Sequence, residues 1–206
     1  MNRATLILLV AVLGPPEMEM CVAQTGFPTT GNAQLNETGH TTIGGRSVAY
    51  LIRHLPVSSF PELPDAVQVE VNRRGCLIPQ TYAAHHPENV IRGSFERPGS
   101  SDWAVLCSAG GTVSILVFFS GAPDKPSVLA SSPETQRLQT HDLTGVLGFN
   151  WAIDATTPEQ IRVAQIGIEP RPARLDHDAV GETVVEQKTV YHFYAKGAWK
   201  LVDTGG

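Results

Sequence analysis

Histidine stands beside aspartate twice in this chain, at His141-Asp142 and at His177-Asp178, the second pair preceded by Asp176. An imidazole that meets a carboxylate and a hydroxyl can carry acid–base and nucleophilic hydrolysis. His141, Asp142, His177 and Asp178 are therefore the catalytic candidates, for a site that would assemble only in three dimensions. No Gly-x-Ser-x-Gly elbow occurs in the sequence. Ser108 and Cys107 fall in an apolar, strand-like run, which favours a structural role over a nucleophilic one. Asp176-His177-Asp178 offers three metal-ligand types in a row, but neighbours on an extended chain point to opposite faces. Arg171 and Arg174 stand close by to pair with those acids, so the segment reads as a polar turn. His85-His86 with Glu88 reads as a surface loop. With neither HExxH nor CxxC spacing, no metal is expected. With no glycine-rich phosphate loop, no cofactor is expected either. Trp103, Trp151 and Trp199 are candidate binding platforms. Trp103 and Trp199 are flanked by apolar strand residues and read as core, which leaves Trp151 as the binding candidate.

The elements that would position these residues can be read from periodicity and turn chemistry. Leu63, Val67 and Val71 recur every four residues behind Pro61, Pro64 and Asp65, with Arg73, Arg74 and Gly75 at the far end. This predicts a helix closing at Gly75. Strands are expected over Asn89–Phe95, Asp102–Ser108 and Thr112–Phe119, with turns at Pro98-Gly99 and Gly110-Gly111. The last two strands are nearly continuous apolar runs, so both of their faces should be covered. Val128–Leu138 and Gly148–Ile153 are weaker strand candidates. Pro158–Gly167 is a short helix or strand behind Thr157. Thr183–Tyr194 reads as one strand that turns at Ala195-Lys196-Gly197 into Ala198–Val202. The fold class expected is α+β: one N-terminal helix packed on a largely antiparallel, meandering sheet.

Composition sets the outer bounds. The chain has 206 residues, a net charge of -5 and 17% charged residues, below the roughly 25% usual for soluble domains. An acidic chain is a poor match for nucleic acid or anionic lipid, so no nucleic-acid partner is expected. Residues 1–23 have the form of a signal peptide: Arg3, an apolar run from Ala4 to Leu13, breakers at Gly14-Pro15-Pro16, and small Cys21 and Ala23 before Gln24. The run is too short to span a bilayer, which takes about 20 apolar residues, and the mature chain should carry no transmembrane segment. Met18-Glu19-Met20 before Cys21 does not suit a lipidation site. Residues 24–46, rich in Thr, Gly and Asn, read as a flexible leader, and 47–206 as a single domain. Removing Cys21 leaves Cys76 and Cys107, and an even pair in an exported chain reads as a disulfide.

Gly75–Gln80 (GCLIPQ), Asn89–Phe95 (NVIRGSF) and Asp102–Ser108 (DWAVLCS), with Asp176–Asp178 and Val190–Tyr194 near the end, resemble an uncharacterised family of exported bacterial proteins of the acidobacterial type. The resemblance spans roughly residues 60–206 and implies export, with no activity attached. The hairpin from Gly93 to Phe119 is loosely similar to one unit of an FG-GAP-type repeat, whose loop binds Ca²⁺ through several acids. Here that loop offers only Glu96 and Asp102, too few for such a site. The whole reading is a periplasmic or secreted, non-enzymatic binding or envelope-associated module with a protein or envelope-component partner. The alternative is a small secreted hydrolase using the His and Asp candidates.

Overall fold

The computed structural model describes residues 35–205. The signal-peptide segment, Cys21 and the first part of the leader lie outside them. The described chain opens with a hairpin, β1 (Glu37–Ile43) and β2 (Arg46–Leu55), and passes through a 3-10 turn at Val57–Ser59 into α1 (Asp65–Arg73). It returns as the short β3 (Ile78–Gln80) and runs through β4 (Val90–Gly93), β5 (Asp102–Ala109), β6 (Thr112–Phe118) and β7 (Ser127–Pro133). Two short strands follow, β8 (Leu138–Thr140) and β9 (Leu147–Phe149), then β10 (Trp151–Thr156), α2 (Pro158–Ala164), β11 (Ala179–Val184), β12 (Lys188–Ala195) and β13 (Ala198–Leu201).

The strands form three sheets instead of the one expected. β4–β7 make an antiparallel meander, and β10–β13 make another. The third sheet runs β1-β2-β9-β8, with β3 also paired to β2. Its β2–β9 contact is parallel, joining Tyr50 to Leu147 and Leu51 to Gly148. The chain is thus mostly antiparallel β with two short helices.

Four expectations need correction, the first being that Val128–Leu138 is no single strand, because β7 ends at Pro133 and Leu138 opens β8 in a different sheet. Residues 37–46 are not leader, because β1 pairs with β2 from Glu37↔Ile52 to Ile43↔Arg46. Gly44 and Gly45 make its two-residue turn at φ 56° and 78°, the mirror-image turn that matches strand twist. Thr183–Tyr194 is not one strand, since the chain reverses between β11 and β12 with Glu186 at φ 61°. Gly148–Ile153 is likewise divided, β9 and β10 belonging to different sheets.

The apolar runs are explained by cover on both faces. Every residue of β5 from Asp102 to Ser108 is buried. Ala104 and Leu106 share one core with Val113, Ile115 and Val117 of β6, against Tyr50, Ile52, Phe149 and Trp151. Trp103, Val105 and Cys107 face the other way, with Leu116 and Phe118, onto Val67 and Val71 of α1. Strand alternation sends successive side chains to opposite cores. α1 closes as its sequence predicts, with Gly75 at φ 70°. Cys76, the next residue, is bonded to Cys107 of β5, stapling the end of α1 to the central meander. Glu70 is buried on α1 but held by Arg73 and Arg74 at 2.7 Å each, and these hydrogen bonds hold its carboxyl down at about 2.

A single buried asparagine joins all three sheets. Asn89 takes φ 71°, a left-handed conformation that asparagine tolerates better than most residues. Its amide donates to Pro79 O of β3 at 2.7 Å, and its Oδ1 accepts from Ile153 N of β10 at 3.1 Å. Its own carbonyl accepts from Leu106 N of β5 at 2.9 Å.

Candidate functional site

Buried Tyr50, Ile52 and His54 of β2 point into the protein, so alternation sends Leu51 and Arg53 outward. Over that outer face lies a cavity of about 290 Å³, lined among others by Leu51, Arg53, Tyr82, His141, Asp142 and Phe149. The volume sits at the small end of ligand pockets. Tyr82 follows β3, and its N–H donates to Phe149 O at 2.9 Å. His141 opens the loop between β8 and β9. The two rings stack with centroids 4.7 Å apart and planes 7° from parallel.

Gly148 makes this stack possible. A Cβ there would lie 2.6 Å from Tyr82 Cβ and 2.9 Å from His141 Cδ2, inside van der Waals contact. Tyr82's hydroxyl accepts from Gln139 Nε2 at 3.2 Å. Gln139 Oε1 in turn accepts from Gln187 at 2.7 Å and from Asn150 at 3.3 Å. Burial, and then the Glu186 carboxylate, push the Tyr82 phenol above its ordinary value.

Arg53 is held in place by main chain. Its Nη2 donates to the carbonyls of Thr81 at 2.6 Å and Ala84 at 3.1 Å. No carboxylate among the described residues comes within 4.0 Å of its guanidinium. Asp142 spends Oδ1 on its own loop, accepting from Thr144 N at 2.9 Å and Thr144 Oγ1 at 2.6 Å. The hydroxyl bond, followed by the amide bond, lowers the Asp142 carboxyl below its usual range.

The four catalytic candidates divide. His141 and Asp142 line the cavity, with His141 Nδ1 at 3.7 Å from Asp142 Oδ2, beyond hydrogen-bond length. His177 and Asp178 are engaged elsewhere. His177 is buried, with Nδ1 at 2.6 Å from Asp176 Oδ1 and Nε2 donating to Tyr194 O at 2.9 Å. Its ring lies against Phe193, with centroids 4.2 Å apart. Asp178 accepts from Ser94 N at 2.9 Å. The two pairs share no hydrogen bond among the described residues, so the structure does not join them into one site.

Trp151 is not an exposed platform. It is completely buried, because it lies on the inner face of β10. Its indole donates to Glu182 at 3.0 Å, and the Arg137 guanidinium lies 3.9 Å from its ring centre. Glu182 also bonds His192 at 2.8 Å, and that contact chiefly lowers the Glu182 carboxyl. A further pair, fully buried, is His54 with Glu134 at 2.7 Å, which ties β2 to the turn after β7. Both pairs escape sequence reasoning because their partners lie 10 and 80 residues apart. The Asp102 loop is likewise self-satisfied. Its carboxylate accepts from Glu96 N at 2.8 Å and Ser120 N at 2.9 Å, and from Ser100 Oγ.

The residues that sequence reading missed at the cavity are Arg53, Tyr82 and Gly148. The β2–β9 pairing and the β3 turn bring them to His141, and no local motif marks them. No family model matches this chain, and neither does any curated protein or solved structure with which it was compared. Among the described residues, no helix is long and apolar enough to cross a membrane. The disulfide is compatible with an oxidising compartment.

Proposed function

We propose that this chain is an exported, non-enzymatic binding module, periplasmic or secreted, that takes a small ligand in the cavity over β2 and β9. The observation that carries the reading is the Tyr82–His141 stack, seated on a glycine and set beside an arginine fixed by two carbonyls. A flat aromatic wall, an oriented charge and an apolar floor are what recognition of a small molecule requires. The motif resemblance to exported bacterial proteins and the Cys76–Cys107 bond support the export half of the reading. The ligand would come from the envelope or its surroundings.

The hydrolase alternative has less support. In a nucleophilic dyad the histidine takes the hydroxyl's proton. Here the Thr144 hydroxyl donates to Asp142 and makes no bond to His141. A carboxylate held below its usual range is also a weaker base.

The test is a fragment titration of the oxidised protein, followed by NMR on the Tyr82 and His141 ring protons. Binding modules of this kind shift those signals saturably, and Tyr82→Ala abolishes the shift. Turnover of ester or peptide substrates that disappears in His141→Ala would replace this reading with the hydrolase.

A further inference from the structure

Resting on the reading of this cavity as the binding site, we propose that its ligand is a small carboxylate with an apolar body. The acid would pair with Arg53, and the body would lie on Leu51 and Val146 beneath the Tyr82–His141 stack.

The argument starts from what Arg53 does not bond. One of its three nitrogens, Nη2, donates to the carbonyls of Thr81 and Ala84. Nε and Nη1 have no hydrogen-bond partner among the described residues. Arg73, Arg74, Arg97, Arg137 and Arg174 each have a carboxylate within 4.0 Å. Among the described residues Arg53 has none, as is also true of Arg46, Arg92, Arg162 and Arg171, but the plane of Arg53 is fixed by two backbone acceptors. Because Nη2 takes part in both two-pronged edges of a guanidinium and is occupied, the pinned group offers a carboxylate one charge-assisted hydrogen bond, from Nε or from Nη1. It gives up little side-chain freedom on binding, the usual entropic loss of a long cation.

The rest of the wall limits the ligand's size and charge. Leu51 is 39% exposed, a large apolar group left open at the cavity, and Val146 extends that surface. The cavity's own acid, Asp142, has Oδ1 committed to Thr144, so it does not neutralise Arg53. Its charge still disfavours a second negative group, which selects a monoanion over a dianion such as phosphate.

The experiment is a pair of titrations by NMR or calorimetry at low salt. The probes are 4-methylpentanoate and its uncharged amide, each against the oxidised protein. The acid is expected to bind at least tenfold tighter than the amide, and 0.5 M NaCl should erode that ratio. Arg53→Gln should bring the ratio to about one, with Arg53→Lys in between. Because Arg53→Gln also loses the bonds to Thr81 and Ala84, Asp142→Asn gives an independent reading. It should raise the acid-to-amide affinity ratio severalfold, and a ratio that stays the same would count against the inference. Equal binding of acid and amide in the parent protein would overturn the carboxylate inference and keep the cavity as a binding site. Failure of both probes, with uncharged fragments still shifting Tyr82 and His141, would also overturn the inference alone. Silence from every fragment would remove the inference together with the reading beneath it.

Discussion

Gly148→Ala is the sharpest perturbation of the candidate site. The added methyl would sit 2.6 Å from Tyr82 Cβ and 2.9 and 3.0 Å from His141 Cδ2 and Nε2. Carbon atoms prefer separations of about 3.5–4.0 Å, so roughly 1 Å of movement is required. His141 can supply its share by swinging its partly exposed ring away. Tyr82 cannot, because the clash is at Cβ and its N–H is bonded to Phe149 O, one residue beyond the substitution. The main chain after β3 must therefore shift. Overpacking of this kind costs about 1–3 kcal/mol, and removing a glycine from a strand returns about 0.5–1 kcal/mol. The net expectation is a loss of about 1–2 kcal/mol together with loss of the ring stack. Urea unfolding gives the first quantity, and the ring-current shifts of the His141 protons give the second. Gly121→Ala serves as control, since its Cβ would meet nothing within 4 Å and its φ is not positive. If Gly148→Ala is as stable as that control and His141 keeps its shifts, the glycine does not hold the stack and the account of the site fails.

Other perturbations test the frame around the site. Asn89→Gly should lose about 2–3 kcal/mol by leaving Pro79 O and Ile153 N unpaired in the interior. Asn89→Ala should lose about 1 kcal/mol more from its left-handed backbone; urea midpoints of the two variants should fall in that order. Replacing Cys76 and Cys107 together with alanine, or reducing the parent protein, should cost about 4 kcal/mol for a crosslink spanning 31 residues, read as the difference in unfolding midpoint with and without reductant. Glu70 has its folded value lowered from 4.5 to about 2, so its contribution is fully present above pH 4.5 and fades as pH falls toward 2. The stability gap between parent and Glu70→Gln should therefore be constant near neutrality and shrink through that window; a gap that stays flat down to pH 2 would contradict the assignment.

The parts of the fold that could be read in advance are those whose signals are local. Leu63, Val67 and Val71 mark α1, and all three are buried. The apolar runs of β5 and β6 announce a hairpin covered on both faces, which the two cores bear out. What was missed follows from weak or distant signals. β1 is rich in threonine and mostly exposed or half-buried, so it lacks the apolar alternation that marks a strand. Its Gly44-Gly45 turn was the available clue. The β11–β12 reversal uses Val185-Glu186-Gln187, with no Gly, Pro or Asn to announce a turn. Dividing the strands among three sheets depends on contacts such as β2 with β9, about 100 residues apart in sequence, which periodicity does not encode.

The site obeys the same logic, and this bears on what it does. His141-Asp142 stood out because a histidine beside an acid suggests proton transfer. Folding instead directs each group elsewhere: His141 stacks on Tyr82, and Asp142 closes a tight turn through Thr144. A catalytic constellation needs its members bonded to one another in sequence, nucleophile to base to orienting acid. A binding wall needs them held apart, each offering a different surface to a ligand. Here His141 and Asp142 stand 3.7 Å apart and are engaged with different neighbours, the arrangement on which the proposed binding role rests. Arg53 comes from β2, while the stack comes from the β3 turn and the β8–β9 loop. Recognition in the proposed site would therefore depend on three segments meeting across one sheet. A change that loosens β9 against β2 should disable binding even where every lining residue is intact.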